Sequence, residues 1–591
     1  MSEDPKIFYE AQIQKLDKML LKDKKFLNGM SILRVSIFLL TILLMYLFFG
    51  SSWFWMVGLS GTGLFLVLLR IFAERKAVYD LNQELKSLNE EEIRILTGNY
   101  RDRWDGKQFE NGSHVFSSDI DLFGKGSFFQ YINRTGLKEG TAYFVELMLS
   151  NDITSIQERQ SAIQELSALP EWVQKYTAIA RLTRTETNTN TIVDWLKQYK
   201  PYIPISMRNL PLAFGMVSVL LTVFSIIEII SFLWLGSWFL LGLILTSFFL
   251  KRNNDLNLKT SKAKDTIQQY ALLLDEIEQG VFTSAVLVDE KENIKSGKKK
   301  ASQIFKIFSD ALERFDNRNN LLVALFGNGF FLWDIHSAAY LEKWIVENGG
   351  LVEQWFKTVA FFDAYNTLAT FSFNHPEFSY PEILKEPGVL INAESIGHPL
   401  IQSKERVTSD LSLGQNDFFV ITGANMAGKS TFLRTVSLFV LMSNLGLPVC
   451  ARQSRYYPIK LITSMRTSDS LADQSSYFFS ELSRLQLIIE QLEKDTYLVV
   501  LDEILKGTNS VDKAAGSKKL IERLVQMQVA GIIATHDLSL CSLADELPSV
   551  KNYFFETEIN NDELHFDYQL KAGVCKNMNA SFLLEKMKII S

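Results

Sequence analysis

The chain alternates between two textures. Two stretches are almost uninterruptedly apolar. The remainder shows amphipathic helical spacing, which gives way beyond Pro387 to short β-rich runs alternating with helices. From Val35 to Leu69 there is no charged residue, and Gly50-Ser51-Ser52 breaks the run near its middle. From Asn209 to Leu250 the only charge is Glu228, and a Gly236-Ser237 break falls towards the far end. A span needs roughly 20 apolar residues, so each block is too long for one helix and suits two short ones. The pattern predicts two transmembrane hairpins, one with helices over 31–49 and 52–72, the other within 209–252.

Charge at the borders supports this. Lys6, Lys15, Lys18, Lys22, Lys24, Lys25 and Arg34 precede the first block; Arg70, Arg75 and Lys76 follow it. Arg208 precedes the second, Lys251 and Arg252 follow it, and the turns carry no cation. The positive-inside rule then places both chain termini in the cytoplasm, with the hairpins in the inner (plasma) membrane. Buried core hairpins would explain the apolar content but not the cationic borders. The polar segment through Arg34 argues against a cleaved signal peptide. Glu228 is expected within about two turns of the far break, where it can snorkel or pair locally, and no second intramembrane ionisable group makes a relay with it. A third apolar run, Leu321 to Trp333, is too short to span and reads as a buried core helix.

The other segments are polar helical regions over 79–208 and 253–390, and an α/β region over 391–591. A basic loop, Lys295–Lys300 (KSGKKK), can touch the phosphates of DNA or of lipid headgroups. Composition adds limits. With 591 residues, 47% hydrophobic and 22% charged, the chain has room for several folded units and is neither disordered nor fibrous. Its three widely spaced cysteines, Cys450, Cys541 and Cys575, exclude a disulfide framework and a cysteine-rich zinc module. A net charge of −6 excludes a globally basic nucleic-acid binder, though not a local basic patch.

Candidate chemistry is concentrated near the C-terminus. The strand run Phe418-Phe419-Val420-Ile421 leads into Gly423-Ala424-Asn425-Met426-Ala427-Gly428-Lys429-Ser430-Thr431, which fits G-x-x-x-x-G-K-[ST] between a strand and a helix. In such a loop backbone N–H groups wrap phosphates, Lys429 faces the β- and γ-phosphates, and Ser430 can ligate Mg²⁺. A second apolar strand ends in Asp502-Glu503: Asp502 is the candidate to hold magnesium, Glu503 to polarise the attacking water. A third strand ends in Ala534-Thr535-His536-Asp537, where His536 can sense a γ-phosphate. Gly507-Thr508-Asn509-Ser510 forms a polar turn after the carboxylate pair. This order of parts is that of an ABC-type ATPase. The fold expected is therefore multidomain: two transmembrane hairpins, an all-α lever and core, and a C-terminal α/β ABC-type (P-loop) domain.

Thr422–Thr435 (TGANMAGKSTFLRT), Leu501–Asp512 (LDEILKGTNSVD) and the ATHD tetrapeptide resemble the ATPase domain of the MutS family of DNA mismatch repair proteins. Asn425-Met426 is more typical of MutS than of transporter ATPases. Upstream, Asp119–Ser127, Asn133-Arg134-Thr135, Arg159–Ile163 and Gly397-His398-Pro399-Leu400 resemble the MutS helical core. The resemblance implies ATP and Mg²⁺ as cofactors and a homodimer, with Ser476 in Asp473–Phe478 reaching the γ-phosphate held by the opposite subunit. The family's adenine-stacking aromatic is not evident near Arg406–Asp410. The mismatch-reading N-terminal domain has no room here, and the Phe8-Tyr9-Glu10 match to its Phe-x-Glu wedge is accidental. Two functions are expected from these parts: a membrane-anchored MutS-related ATPase that clamps non-mismatched or structured DNA, or an ATP-driven membrane remodelling or transport-like machine without DNA.

Overall fold

The computed structural model describes residues 4–182, 188–295, 299–466, 477–560 and 563–575. Its first element, α1 (Pro5–Leu47), is a single helix, started by Asp4 capping the Lys6 N–H at 2.9 Å with proline in the first turn. A turn at Gly50 (φ 82°) reverses the chain into α2 (Trp53–Leu96). Both helices extend well beyond the apolar block and form an antiparallel stalk. Its polar half is tied by Asp17–Lys86 (2.7 Å) and by Asp23–Arg75. At the apolar boundary the Arg34 guanidinium lies 3.9 Å over the Phe72 ring. Polar and apolar segments thus share one rod, because both are helix formers and no capping signal separates them.

Short helices α3 (Phe128–Ile132), α4 (Lys138–Leu149), α5 (Ile156–Ser167), α6 (Pro170–Leu182) and α7 (Thr189–Gln198) follow. Next come α8 (Leu210–Ile226) and α9 (Phe232–Ser247), and then α10 (Leu250–Gln279). Gly236-Ser237, expected to break this block, lies inside α9, where the Ser237 hydroxyl donates to Leu233 O at 2.9 Å and needs no break. The reversal occurs instead at 227–231. Glu228 stands exposed in that turn with φ 60°, so it is part of the turn and not of a span.

Among the described residues three helices are long and apolar enough to cross a membrane (Pro5–Leu47, Trp53–Leu96, Ile205–Ile226). A fourth qualifies if α9 and α10, bent by 64°, count as one span.

The chain continues through α11 (Ala285–Glu292), α12 (Ala301–Asp316), a π-helical turn at Val323–Gly327, α13 (Asn328–Phe331), α14 (Trp333–Asn348) and α15 (Val352–Asn374). The apolar run from Leu321 is not the buried core helix expected. Leu321, Leu322, Leu325, Phe326 and Phe331 are exposed, Phe330 packs on Phe239 of α9, and Leu332 at the end of the run enters the core. Nearly all of α15 is buried, and the helical core is built around it. There Arg134 donates twice to the buried Glu92 carboxylate (2.8 and 2.9 Å), which also accepts from Asn374 (2.8 Å). Asn374 in turn accepts from the Tyr9 hydroxyl at 2.7 Å, while Phe8 packs edge-on against Phe373. The Phe-x-Glu tripeptide is therefore a packing element that fastens α1 to α15.

The α/β region begins with β1 (Glu382–Ile383), β2 (Val389–Ile396), β3 (Ser409–Gly414), β4 (Phe418–Gly423), α16 (Lys429–Asn444), β5 (Gln453–Tyr456) and β6 (Lys460–Ser464). It continues with α17 (Tyr477–Leu492), β7 (Tyr497–Asp502), α18 (Ser510–Gln526), β8 (Gly531–Ala534), α19 (Leu543–Glu546), β9 (Val550–Asn560) and β10 (Glu563–Ala572). A small sheet runs β1-β5-β2-β3 and a larger one β10-β9-β4-β8-β7-β6. In the larger sheet every pairing is parallel except that of the edge strand β10. Its central strands are continuous apolar runs covered on both faces, as parallel strands require. Helical core and sheet domain are joined at Asp119, which is buried and accepts from Thr463 Oγ1 (2.5 Å) and Arg466 N (2.8 Å), and at Arg159, which donates to Asn444 O (2.9 Å). Both residues lie in the upstream segments singled out from sequence.

Candidate nucleotide and cation site

The C-terminal ends of β4, β7 and β8 open onto one crevice, where an open parallel sheet presents its loops. β4 delivers the chain at Gly423 (φ 150°), where a Cβ would stand 3.0 Å from Phe555 O. The loop returns through Met426 (φ 68°) to Gly428 (φ 101°), which starts α16 from left-handed backbone. The first turn of α16 then faces a cavity of about 610 Å³ lined by Asn425, Met426, Gly428, Lys429, Ser430 and Thr431. Ala424 sits in the same loop, and Ala427 is buried beneath it.

Lys429 is buried. Its ammonium donates to Gly423 O (2.8 Å) and Ala424 O (2.9 Å) and stands 3.4 Å from His536 Nε2. Burial depresses its pKa even though Asp502 and Glu503 oppose the shift. His536 follows β8, and burial together with the Lys429 charge keeps it below the usual histidine range. Asp502 ends β7 and accepts from Ser430 Oγ at 2.6 Å. Glu503 has φ 50°, unusual for a residue with a side chain, and it aims the carboxylate into the cavity while its N–H holds Ala534 O (2.9 Å). Burial works against ionisation of Glu503, but Lys513 Nζ at 2.8 Å, together with His536 and Lys506, more than offsets it, leaving the carboxyl below its ordinary value. In the turn after the carboxylates, Asn509 caps α18 by accepting the Asp512 N–H at 2.9 Å.

The residues from Gly423 to Thr431, with Asp502, Glu503 and His536, are thus brought together. Ser476 lies outside the described residues, as does 296–298 of the basic loop Lys295–Lys300. Such an arrangement can take phosphate groups at a helix N-terminus. Among the described residues no group of three or more His, Cys, Asp or Glu could hold a metal alone. Ser430 and Asp502 supply one hydroxyl and one carboxylate, a donor set that fits Mg²⁺ sharing its shell with phosphate oxygens and water.

One wall of the cavity has no counterpart in the sequence reading. Ile401, Val407, Phe432, Phe555 and Tyr568 make an apolar slot beside the loop, with Tyr568 stacked at 5.8 Å on Phe566. Tyr568 sits in left-handed backbone (φ 55°) within an irregularity of the β9–β10 ladder that turns its ring over Gly428. No spacing rule marks such a residue, because it reaches the slot through a local bulge. His398 lines the same wall, and burial with Arg434 and Arg406 nearby holds its pKa down to about 4. Lys513 likewise carries no signal in the sequence, because a lone lysine on a helix reads as solvated.

Comparison with known proteins agrees with this geometry. The profile of MutS domain V matches residues 419–588. The DNA mismatch repair protein MSH4 of Arabidopsis thaliana is 30% identical over 214 residues, 36% of this chain and 27% of that protein. The DNA mismatch repair protein MutS of Aquifex pyrophilus is 33% identical over 184 residues, 30% of this chain and 21% of the relative. Msh2 of Dictyostelium discoideum is 32% identical over 241 residues, 38% and 25% of the two chains. The chain therefore spans about a quarter of the length of these relatives. Residues 419–588 thus match MutS domain V, and over part of its length the chain is similar to proteins named MutS, MSH4 and Msh2.

Proposed function

We propose that this protein is a membrane-anchored, MutS-related ATP hydrolase that works as a homodimer and binds non-mismatched or structured DNA. The observation that carries the reading is the convergence of Lys429, Ser430, Asp502, Glu503 and His536 on one crevice at the head of a parallel sheet. In this P-loop reading, Gly423 to Thr431 wrap the phosphates of ATP with backbone N–H groups. Lys429 exchanges its two loop carbonyls for phosphate oxygens. Ser430 and Asp502 hold Mg²⁺, which when bound neutralises phosphate charge. Glu503 orients a water and accepts its proton, and His536 hydrogen-bonds the γ-phosphate that ADP lacks. Tyr568 gives the adenine a stacking face. By resemblance, Ser476 completes the partner's site, so ATP favours the closed dimer and hydrolysis releases it.

Membrane anchorage is supported by the three helices apolar enough to span, a fourth if α9 and α10 count as one, and by the cations at their borders. Both termini and the sheet domain are then cytoplasmic, with α1–α2 and α8–α9 in the plasma membrane. A second reading, an engine that moves these hairpins without DNA, is favoured by the acidic net charge of −6 and by α10, which follows α9 across a 64° bend and packs in the helical core. Full-length protein in nanodiscs tests the first reading. Mg²⁺-dependent ATP hydrolysis is expected, Lys429→Ala should abolish nucleotide binding, and duplex or branched DNA should be retained with a steep salt dependence. Hydrolysis with no DNA retained at low salt favours the second reading. Release from membranes by carbonate would remove the anchorage.

A further inference from the structure

The run from Leu321 to Phe331 stands apart from both the core and the site, and Leu332 at its end is buried in the core. It leaves α12 through Asn317–Asn320, makes one π-helical turn and one α-helical turn, and stops at Leu332 in left-handed backbone (φ 49°). Its large apolar side chains face outwards: Leu321 is 79% exposed, Leu322 65%, Phe326 50%. An apolar groove of about 760 Å³, lined by Leu212, Met216, Leu220, Phe331 and Trp333, joins this surface to the exposed face of α8.

The inner side is closely fitted to the α8–α9 hairpin. Phe239 packs on Phe330 with ring centroids 5.0 Å apart. Gly242 lies so near Gly329 that a Cβ there would stand 2.3 Å from its carbonyl oxygen. The irregular backbone turns the Asp334 N–H to Asn328 Oδ1 (2.9 Å), away from the Phe330 carbonyl. Ser218 Oγ satisfies that carbonyl instead, at 2.6 Å, and itself accepts from Trp238 Nε1 at 2.8 Å. Both ends of the run meet at one level. Arg318 pairs with Asp334 (2.8 Å) and donates to Asn254 of α10 (2.9 Å), Asn319 accepts from Asn257 (3.2 Å), and the Trp333 indole donates to Arg314 O (3.1 Å). Lys251 and Arg252, in the first turn of α10 where it leaves α9, come just before Asn254 of this clasp in the chain.

We propose that residues 321–331 form a re-entrant wedge. It enters the bilayer beside α8 and α9 from the side on which α10 leaves, and returns to that side, with lipid acyl chains covering its outer face. The inference rests on the membrane reading of α8–α9. The run is about 15 Å long, roughly half the ~30 Å hydrocarbon thickness, so it dips and cannot cross. Irregular backbone at that depth is tolerated only where its polar groups are satisfied within the protein, as Ser218 and Asn328 do here. The cations at the clasp lie where headgroup phosphates would meet them. α12 and α14, which flank the wedge, are then held to the bilayer at a second point besides α10.

The test is site-directed spin labelling of the full chain in phosphatidylcholine–phosphatidylglycerol nanodiscs. Leu322→Cys and Phe326→Cys are compared with Leu220→Cys on α8 and Lys306→Cys on α12. The native cysteines are buried, which limits background labelling. Positions 322 and 326 should show the oxygen accessibility of position 220, several-fold above that of position 306, and little access for a water-soluble nickel chelate. Chelate access at 322 and 326 with position 220 still in lipid overturns the wedge and leaves the membrane reading standing. Chelate access at all positions overturns the membrane reading itself. Exclusion of both reagents, with spin–spin broadening between labels, would show that a second copy covers the face and would also overturn the wedge.

Discussion

Lys513 sets the protonation of the proposed catalytic base, so Lys513→Met should move the pH profile of ATP cleavage. The methionine keeps the aliphatic stem and removes only the charge. In the native chain Nζ lies 2.8 Å from Glu503 Oε1, with the two side chains 22% and 28% exposed. Such a pair has about 6 kcal/mol of gross Coulomb energy at an effective dielectric near 20, and desolvation of both groups reduces the net coupling to about 1–2 kcal/mol. At 1.36 kcal/mol per pH unit, the Glu503 carboxyl should rise by about one unit. The sign follows from the direction of the native shift. Glu503 is held low, so losing the cation raises it, and the acid limb of single-turnover cleavage moves to higher pH. The pair's contribution to stability is complete above the ordinary carboxyl range and fades as pH falls through the depressed value; the variant loses that contribution. His536, Lys429 and Lys506 lie around the same carboxylate, so Lys506→Met serves as a control expected to shift the limb less. An acid limb unmoved in Lys513→Met but displaced in Lys506→Met would refute the assignment.

Further outcomes follow from other contacts. Tyr568→Ala should weaken ATP binding about 5- to 150-fold in equilibrium dialysis, the range of about 1–3 kcal/mol for one base stacked on an aromatic ring, while Tyr568→Phe retains it. Mixing Ser476→Arg subunits with Lys429→Ala subunits should regain up to half of normal hydrolysis if sites are shared, each variant alone being inactive. Arg134→Met leaves the Glu92 carboxylate buried with Asn374 as its hydrogen-bond donor among the described residues, and should cost about 3–5 kcal/mol in denaturant unfolding of the helical core. Asp363 is buried beneath the Gly136 and Leu137 N–H groups, and burial raises its carboxyl to about 7. Its folded value lies above its unfolded one, so stability should fall as pH rises from about 4 through 7, and Asp363→Asn should flatten that dependence.

Much of the sheet domain was legible because its signals are local. Phe418–Ile421, Tyr497–Leu501 and Gly531–Ile533 are runs of buried strand, and each motif sits immediately after one, where strand geometry fixes its direction. The first hairpin's turn was legible for the same reason, since Gly50 takes the backbone there to φ 82°. The second was misplaced because Gly236-Ser237 can continue a helix when the serine hydroxyl bonds back to the preceding turn, whereas Glu228 and the Ser231 cap mark the true reversal. The run at Leu321 was misread because apolar content alone does not distinguish burial in a core from packing on an apolar hairpin. Tyr568 and Lys513 reach the site through a strand irregularity and a helix start. Those are tertiary facts with no period in the sequence.

The most direct test of the proposed activity is the fate of nucleotide on Glu503→Gln. The amide keeps the shape of the side chain but cannot accept a proton from water, and loss of such a group costs about 10²–10⁴-fold in rate. Protein incubated with labelled ATP and Mg²⁺, separated from free nucleotide and quenched in acid, should carry ATP at native occupancy with almost no ADP. Turnover at the native rate by Glu503→Gln would contradict the assignment of this crevice as the hydrolytic centre.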